Sequence, residues 1–302
     1  MKDWIAAFRL RTLPLAFSCI LMGSGLAIYL GFFQKTIFFL TLVTTLFLQI
    51  LSNLANDYGD TQNGADNAER IGPQRAVQSK KISLTAMRKA IIVFVLLSLS
   101  SGIPLVLLSG GTFNPLWVLS FLFLGGFSIW AAIKYTSGSN PYGYRGYGDF
   151  FVFLFFGLIG VVGAFLMQAQ MVVMWFLEEV LLLAISVGLL SAAVLNLNNM
   201  RDIKSDKSAN KNTVALKLGF NGAKLYHTGI ICLAIVCFNL TIYRLDFSIY
   251  EIALCNIPSL LLLIHLFKVL KVTQEKDFDP ELKKVALSTF LQALIFIITT
   301  SL

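Results

Sequence analysis

The chain has 302 residues, of which 57% are hydrophobic and only 13% charged, and its mean hydropathy is +0.76. Soluble domains average about 25% charged residues, so this composition excludes a water-soluble protein and predicts an all-α integral membrane protein. The formal charge of +8 raises the question of a nucleic-acid partner, which the placement of the basic residues answers below.

The first residues, MKDWIAAFRLRTLP, interleave Trp4 and Phe8 with Lys2, Arg9 and Arg11. That pattern predicts an amphipathic helix lying in the membrane interface. No small-residue cleavage site follows it, so no removed signal peptide is expected. A span needs roughly 20 mostly apolar residues. Runs of that kind fall at about 13–32, 36–56, 88–109, 115–135, 149–168, 171–196, 224–244, 249–268 and 284–302, which predicts nine spans in a single transmembrane domain covering 1–302.

With the N-terminus cytoplasmic, every basic residue except Lys35 and Arg244 falls on the cytoplasmic side of such a bundle. This is the asymmetry of the positive-inside rule, and it supports the helix count and a cytoplasmic N-terminus; the cytoplasmic membrane is the expected location. It also accounts for the charge without any nucleic acid. The outer connections are very short, whereas the polar stretches 57–87, 136–148, 197–223 and 269–283 all lie on the inner face. Long loops in a compact protein tend to carry function, so the cytoplasmic end is the expected working end. Cys19, Cys232, Cys237 and Cys255 lie in apolar spans with no metal or redox spacing, and His227 and His265 stand isolated in the sequence.

Two stretches place acids where membrane helices should end. In NLANDYGD, residues 53–60, Asn53, Asn56, Asp57 and Asp60 repeat at helical spacing and so share one face, with Asp66 following in the loop. In NLNNMRDIKSD, Asn198, Asp202 and Asp206 repeat every four residues, with Arg201 and Lys204 beside them. Four spans separate the two, so both emerge on the same side, as in a faint parallel duplication. Helix-end Asp and Asn residues often serve only as caps. Two matched stripes at equivalent ends point further. Facing carboxylates repel unless cations lie between them, and Mg²⁺ is held by a few carboxylates together with substrate phosphate oxygens. The bases Arg70, Arg75, Lys134, Arg201 and Lys204 could contact phosphate directly. This chemistry suits a lipid diphosphate whose tail lies among apolar helices.

These motifs resemble the UbiA superfamily of intramembrane aromatic prenyltransferases. The finer match is to its 1,4-dihydroxy-2-naphthoate polyprenyltransferase branch. It rests on NDYGD at 56–60, Asp66, ERIGPQRAVQ at 69–78, PYGYRGYGD at 141–149 and NNMRD at 198–202. The commonest first motif of the superfamily has a third Asp where this chain has Gly64, and the acid arrives at Asp66 instead. The resemblance implies that Asp57, Asp60, Asp66, Asp202 and Asp206 hold Mg²⁺, and that Asn53 and Asn56 help to hold the diphosphate. It also implies that Lys134 contacts that diphosphate, and that polyprenyl diphosphate and 1,4-dihydroxy-2-naphthoate are the substrates. Within GSNPYGYRGYGD, Tyr142 and Arg145 belong either to a re-entrant interfacial turn or to a lid over the aromatic acceptor, with Arg145 near its carboxylate. A different aromatic acceptor, or a secondary transporter binding ions at the same acids, are the competing readings.

Overall fold

A computed structural model describes residues 2–64, 71–72, 74–111, 114–169 and 176–302. Among these are nine helices long and apolar enough to cross a membrane. The interfacial helix α1 (Lys2–Phe8) leads into α2 (Leu13–Tyr29), α3 (Lys35–Gln62), α4 (Leu84–Val106) and α5 (Pro115–Lys134). Then follow α6 (Gly148–Ala169, π-helical over Phe153–Val162), α7 (Leu177–Arg201) and the short α8 (Ile203–Ser208). The chain ends with α9 (Val214–Arg244), α10 (Ile249–Lys271, interrupted at Asn256) and α11 (Asp279–Thr299).

Local chemistry sets several of these ends. Ser83, Asn114 and Thr213 each accept the first-turn amide of the helix they precede, and Ser248 forms a reciprocal capping box with Glu251. Gly64, at φ 71°, lets the chain turn away after α3. The outward faces stay apolar, for example at Leu116, Leu119 and Phe123 on α5, as lipid requires. Inside, α2, α6, α7, α9 and α11 meet around Phe165, Phe238 and Phe296, and a second core joins α1, α3 and α4 with Ala76, Val77 and Ile82 of the following loop.

Three features differ from what the sequence pattern predicts, the first two of them at the site. Helix α3 runs to Gln62 rather than ending near residue 56, so Asp57 and Asp60 are helical and buried inside the bundle. The second stripe is not continuous: α7 ends at Arg201, and Asp202, at φ −99° and ψ 17°, turns the chain into α8. His227 and His265 are not isolated. Their Nε2 atoms lie 2.8 Å apart between α9 and α10, and His265 Nδ1 is 2.6 Å from the Glu281 carboxylate, which also pairs with Lys284. Side-by-side packing of the last three spans brings together residues that sequence distance keeps apart.

Candidate active site

Each acid of the first motif has its own partner. Asp57 is 1% exposed; its Oδ2 accepts the Ala76 amide at 3.2 Å, while its Oδ1 is buried without a hydrogen-bond partner. Asp60 accepts the Tyr144 hydroxyl on Oδ1 at 2.7 Å and meets Arg75 on Oδ2 at 2.5 Å. Asn53 turns its amide the other way, donating to the Phe8 carbonyl at 2.9 Å and to Thr12 Oγ1 at 3.0 Å, and so ties α1 to α3. Asn56 faces the Thr136 hydroxyl at 3.4 Å. Gly59 permits this approach of α3 to the end of α5, since a Cβ there would fall 2.6 Å from the Thr136 carbonyl oxygen.

The second motif is organised around a buried guanidinium. Arg201 donates from Nε and Nη2 to the two carboxylate oxygens of Asp202, at 3.0 and 2.7 Å. It also reaches Asn198 Oδ1 at 2.7 Å and Asp279 Oδ1, at the start of α11, at 2.5 Å. Asp206 is 5% exposed; its Oδ1 lies 3.5 Å from Lys211 Nζ, and its Oδ2 is buried without a partner. Burial pushes the Asp206 carboxyl up to about 6; Lys211 opposes the shift, and the negative charges of Asp202 and Asp60 add to it. Geometry joins the two motifs: the Tyr144 hydroxyl bonds Asp60, and its ring lies 5.6 Å from Lys211 Nζ, the partner of Asp206. Tyr135, whose phenol is raised chiefly by burial, senses both Asp60 and Asp206 as well.

The segment between α5 and α6 lies across the two motifs. Tyr142 donates its hydroxyl to the Ala131 carbonyl at 2.7 Å, and the Gly143 amide bonds to the Tyr135 carbonyl at 3.0 Å. Only glycine fits at 143, because a Cβ would come 2.6 Å from that same carbonyl oxygen. Tyr144 then bonds Asp60 through its hydroxyl, while its carbonyl accepts the Asn212 amide at 2.9 Å.

A cavity of about 1270 Å³ opens beside these groups. Asn53, Asn56, Asp57, Asp60, Arg75, Asn198, Arg201 and Lys211 line one part, Tyr135 and Tyr142 an adjoining wall, and apolar residues such as Leu99, Ile103, Phe121, Phe155 and Ile159 much of the rest. Asp202 and Asp206 are not on the wall themselves; their partners Arg201 and Lys211 are. Lys134 and Arg145 are exposed and off the wall, and Lys204 is exposed and paired with Glu275 at 3.0 Å. Asp66 and Arg70 lie outside the described residues. Lys211 and Asp279 carry no mark in the sequence that would assign them to the site. Lys211 is indistinguishable there from other loop lysines, and Asp279 is 78 residues from the arginine it pairs with.

The donor set fits a hard cation. One oxygen of Asp57 and one of Asp206 are buried and unpartnered, while Asp60 and Asp202 are already held by bases. Among the described residues no three acids, histidines or cysteines converge on a single metal point. Mg²⁺ commonly completes such a sparse set with water and substrate phosphate.

A membrane bundle with two acidic motifs and their attendant bases at a largely apolar cavity is the architecture of an intramembrane prenyltransferase. The chain belongs to the UbiA prenyltransferase family, whose model matches residues 15–288. It is 43% identical over 251 residues to the 1,4-dihydroxy-2-naphthoate octaprenyltransferase of Escherichia coli strain K12, covering 83% of this chain and 79% of that one. It is 42% identical to the enzyme of the same name from Haemophilus influenzae, covering 79% and 76%. Among solved structures, the apo UbiA homolog from Aeropyrum pernix K1 superposes with a TM-score of 0.68 at 15% identity, over 96% of this chain and 95% of that one. The Archaeoglobus fulgidus homolog bound to GPP and Mg²⁺ gives 0.62 at 16%, over 98% and 100%.

Proposed function

We propose that this protein transfers a polyprenyl group from polyprenyl diphosphate to 1,4-dihydroxy-2-naphthoate, releasing diphosphate and CO₂. It acts as one transmembrane domain in the cytoplasmic membrane, with its N-terminus and site at the cytoplasmic face. The observation that carries this reading is a single cavity joining carboxylates, guanidinium groups and an ammonium to a long apolar wall. That combination matches a charged head on a hydrocarbon tail. The names of the relatives supply the acceptor, and the basic residues of the inner loops supply the orientation.

Asp57 on the wall and Asp206 just behind it, each with a buried oxygen that lacks a partner, would hold Mg²⁺, with Asp60 and Asp202 supporting the charge from their paired positions. Bound Mg²⁺ supplies the charge neutralisation that lets the diphosphate depart as an anion. Arg75, Arg201 and Lys211 stand on the wall to donate hydrogen bonds to the leaving oxygens as negative charge grows there. The allylic carbon–oxygen bond breaks, and its electron pair leaves with diphosphate. The ring carbon that bears the carboxylate bonds to the allylic carbon, and the carbon–carboxylate bond then gives its electrons back to the ring as CO₂ departs. Apolar wall residues exclude water that would quench the allylic cation. The transporter reading finds less support, since the acids gather at helix ends together with bases suited to phosphate.

The test is to incubate membranes containing the protein with prenyl diphosphates of several lengths and, in separate arms, dihydroxynaphthoate, a hydroxybenzoate or another aromatic acceptor, then weigh the lipid products by mass spectrometry. A decarboxylated prenyl naphthalenediol is expected. Its absence, with a hydroxybenzoate or another acceptor prenylated instead, overturns the acceptor assignment.

A further inference from the structure

We infer that Tyr144 is a positioning residue that locks the first acidic motif to the second and thereby sets the affinity for the divalent cation. The inference rests on the reading of this site as a cation and diphosphate site. Three contacts of one residue carry it. The hydroxyl donates to Asp60 Oδ1 at 2.7 Å, in the first motif. The carbonyl accepts the Asn212 amide at 2.9 Å, just after the second motif. The ring lies 5.6 Å from Lys211 Nζ, and that ammonium is 3.5 Å from Asp206.

The neighbouring tyrosines do other things. Tyr142 is bound to the end of α5, and Tyr147 is 54% exposed in the manner of an interfacial anchor. Tyr144 alone of the three bonds a carboxylate of the acidic motifs in the described structure. Its segment is tied to the end of α5 by the Gly143 amide on the Tyr135 carbonyl and closed into a turn by the Tyr144 amide on the Pro141 carbonyl at 3.1 Å. Asp57, Asp60, Asp202 and Asp206 repel one another when ionised, and Arg75, Arg201 and Lys211 offset that repulsion only in part. A strut that fixes their separation holds the unpartnered oxygens of Asp57 and Asp206 in place in advance and removes reorganisation from cation binding.

The experiment uses the full-length protein in nanodiscs without either organic substrate. Mn²⁺ binding is followed by electron paramagnetic resonance for wild type, Tyr144→Phe and Tyr144→Leu, with thermal unfolding as the control for folding. Loss of one hydrogen bond to a charged group predicts about tenfold weaker Mn²⁺ binding in Tyr144→Phe, and a larger loss in Tyr144→Leu, which also removes the ring beside Lys211. In turnover assays the KM for the naphthoate stays within about twofold. In an Asp60→Asn background, Tyr144→Phe has little further effect, because its hydroxyl acts through Asp60. Mn²⁺ affinity unchanged in both tyrosine variants, an equal loss in the Asp60→Asn background, or a change confined to the naphthoate KM overturns the inference. Since Mn²⁺ binding needs no acceptor, a wrong acceptor assignment leaves this result intact and is recognised separately by the product analysis.

Discussion

Arg201 grips both carboxylate oxygens of its chain neighbour Asp202 and, through Nη1, the carboxylate of Asp279 at the foot of α11. One guanidinium, 2% exposed, thus fixes an acid of the second motif and seals the last span against it. Removing one partner of a buried ion pair costs about 3–5 kcal/mol because the other charge is left unpaired. Arg201→Ala is expected to lower the unfolding temperature and to abolish prenyl transfer, whereas Asp279→Asn keeps a hydrogen-bond acceptor and loses less of both. Thermal unfolding in detergent and product formation in proteoliposomes check the order.

Asp57→Ala and Asp202→Ala remove acids with different partners. Asp57 carries an open oxygen, so its loss should weaken Mg²⁺ activation and cut kcat/KM by about 10²–10³. Asp202→Ala leaves Arg201 with one acid fewer and should cost stability as well as rate. Near wild-type transfer with normal Mg²⁺ dependence in either variant contradicts the site.

The raised carboxyl of Asp206 gives a pH dependence with a definite sign. Without a cation it is protonated below about pH 6 and ionised above. The folded value lies above the ordinary carboxylate value, so Asp206 favours the folded cation-free protein most at low pH. That contribution is lost as the pH rises through about 6. Cation binding runs the opposite way, because only the ionised form is a ligand. The Mg²⁺ concentration for half-maximal activity should be flat from pH 7 to 8 and rise about tenfold per unit below 6. Asp206→Asn should bind Mg²⁺ weakly at every pH and lose this rise.

Gly143→Ala would force a Cβ to within 2.6 Å of the Tyr135 carbonyl oxygen, and backbone cannot yield as a flexible side chain can. Overpacking of this kind costs about 1–3 kcal/mol. The strain falls on the segment that carries Tyr144, so Mg²⁺ affinity should suffer along with the unfolding temperature. Titrating Mg²⁺ against activity at a temperature where the variant stays folded separates the two.

The His227–His265–Glu281 chain is off the cavity wall. His265→Ala leaves Glu281 and His227 short of a buried partner, which should lower the unfolding temperature by several degrees. Activity per folded molecule should remain close to wild type, measured beside the unfolding curve.

Sequence alone determined the membrane class, the runs that become the nine candidate spans among the described residues and the one-sided clustering of basic residues, because hydrophobic length and charge are local properties that a bilayer reads directly. It also marked Asp57 and Asp60, which helical spacing places on one face, and Asp202 and Asp206 as acids gathered where a span ends, although the break at Asp202 interrupts their stripe. What each acid does was left to tertiary structure. Asp60 is engaged by Tyr144 and Arg75, and Asp202 by Arg201, while Asp57 and Asp206 keep an oxygen open, and nothing in the spacing separates these cases. Lys211 and Asp279 entered the site, and Lys134 and Arg145 stayed off the cavity wall, for the same reason. Partnership between charges depends on which helix ends pack together in three dimensions, and no local pattern in the chain encodes that contact.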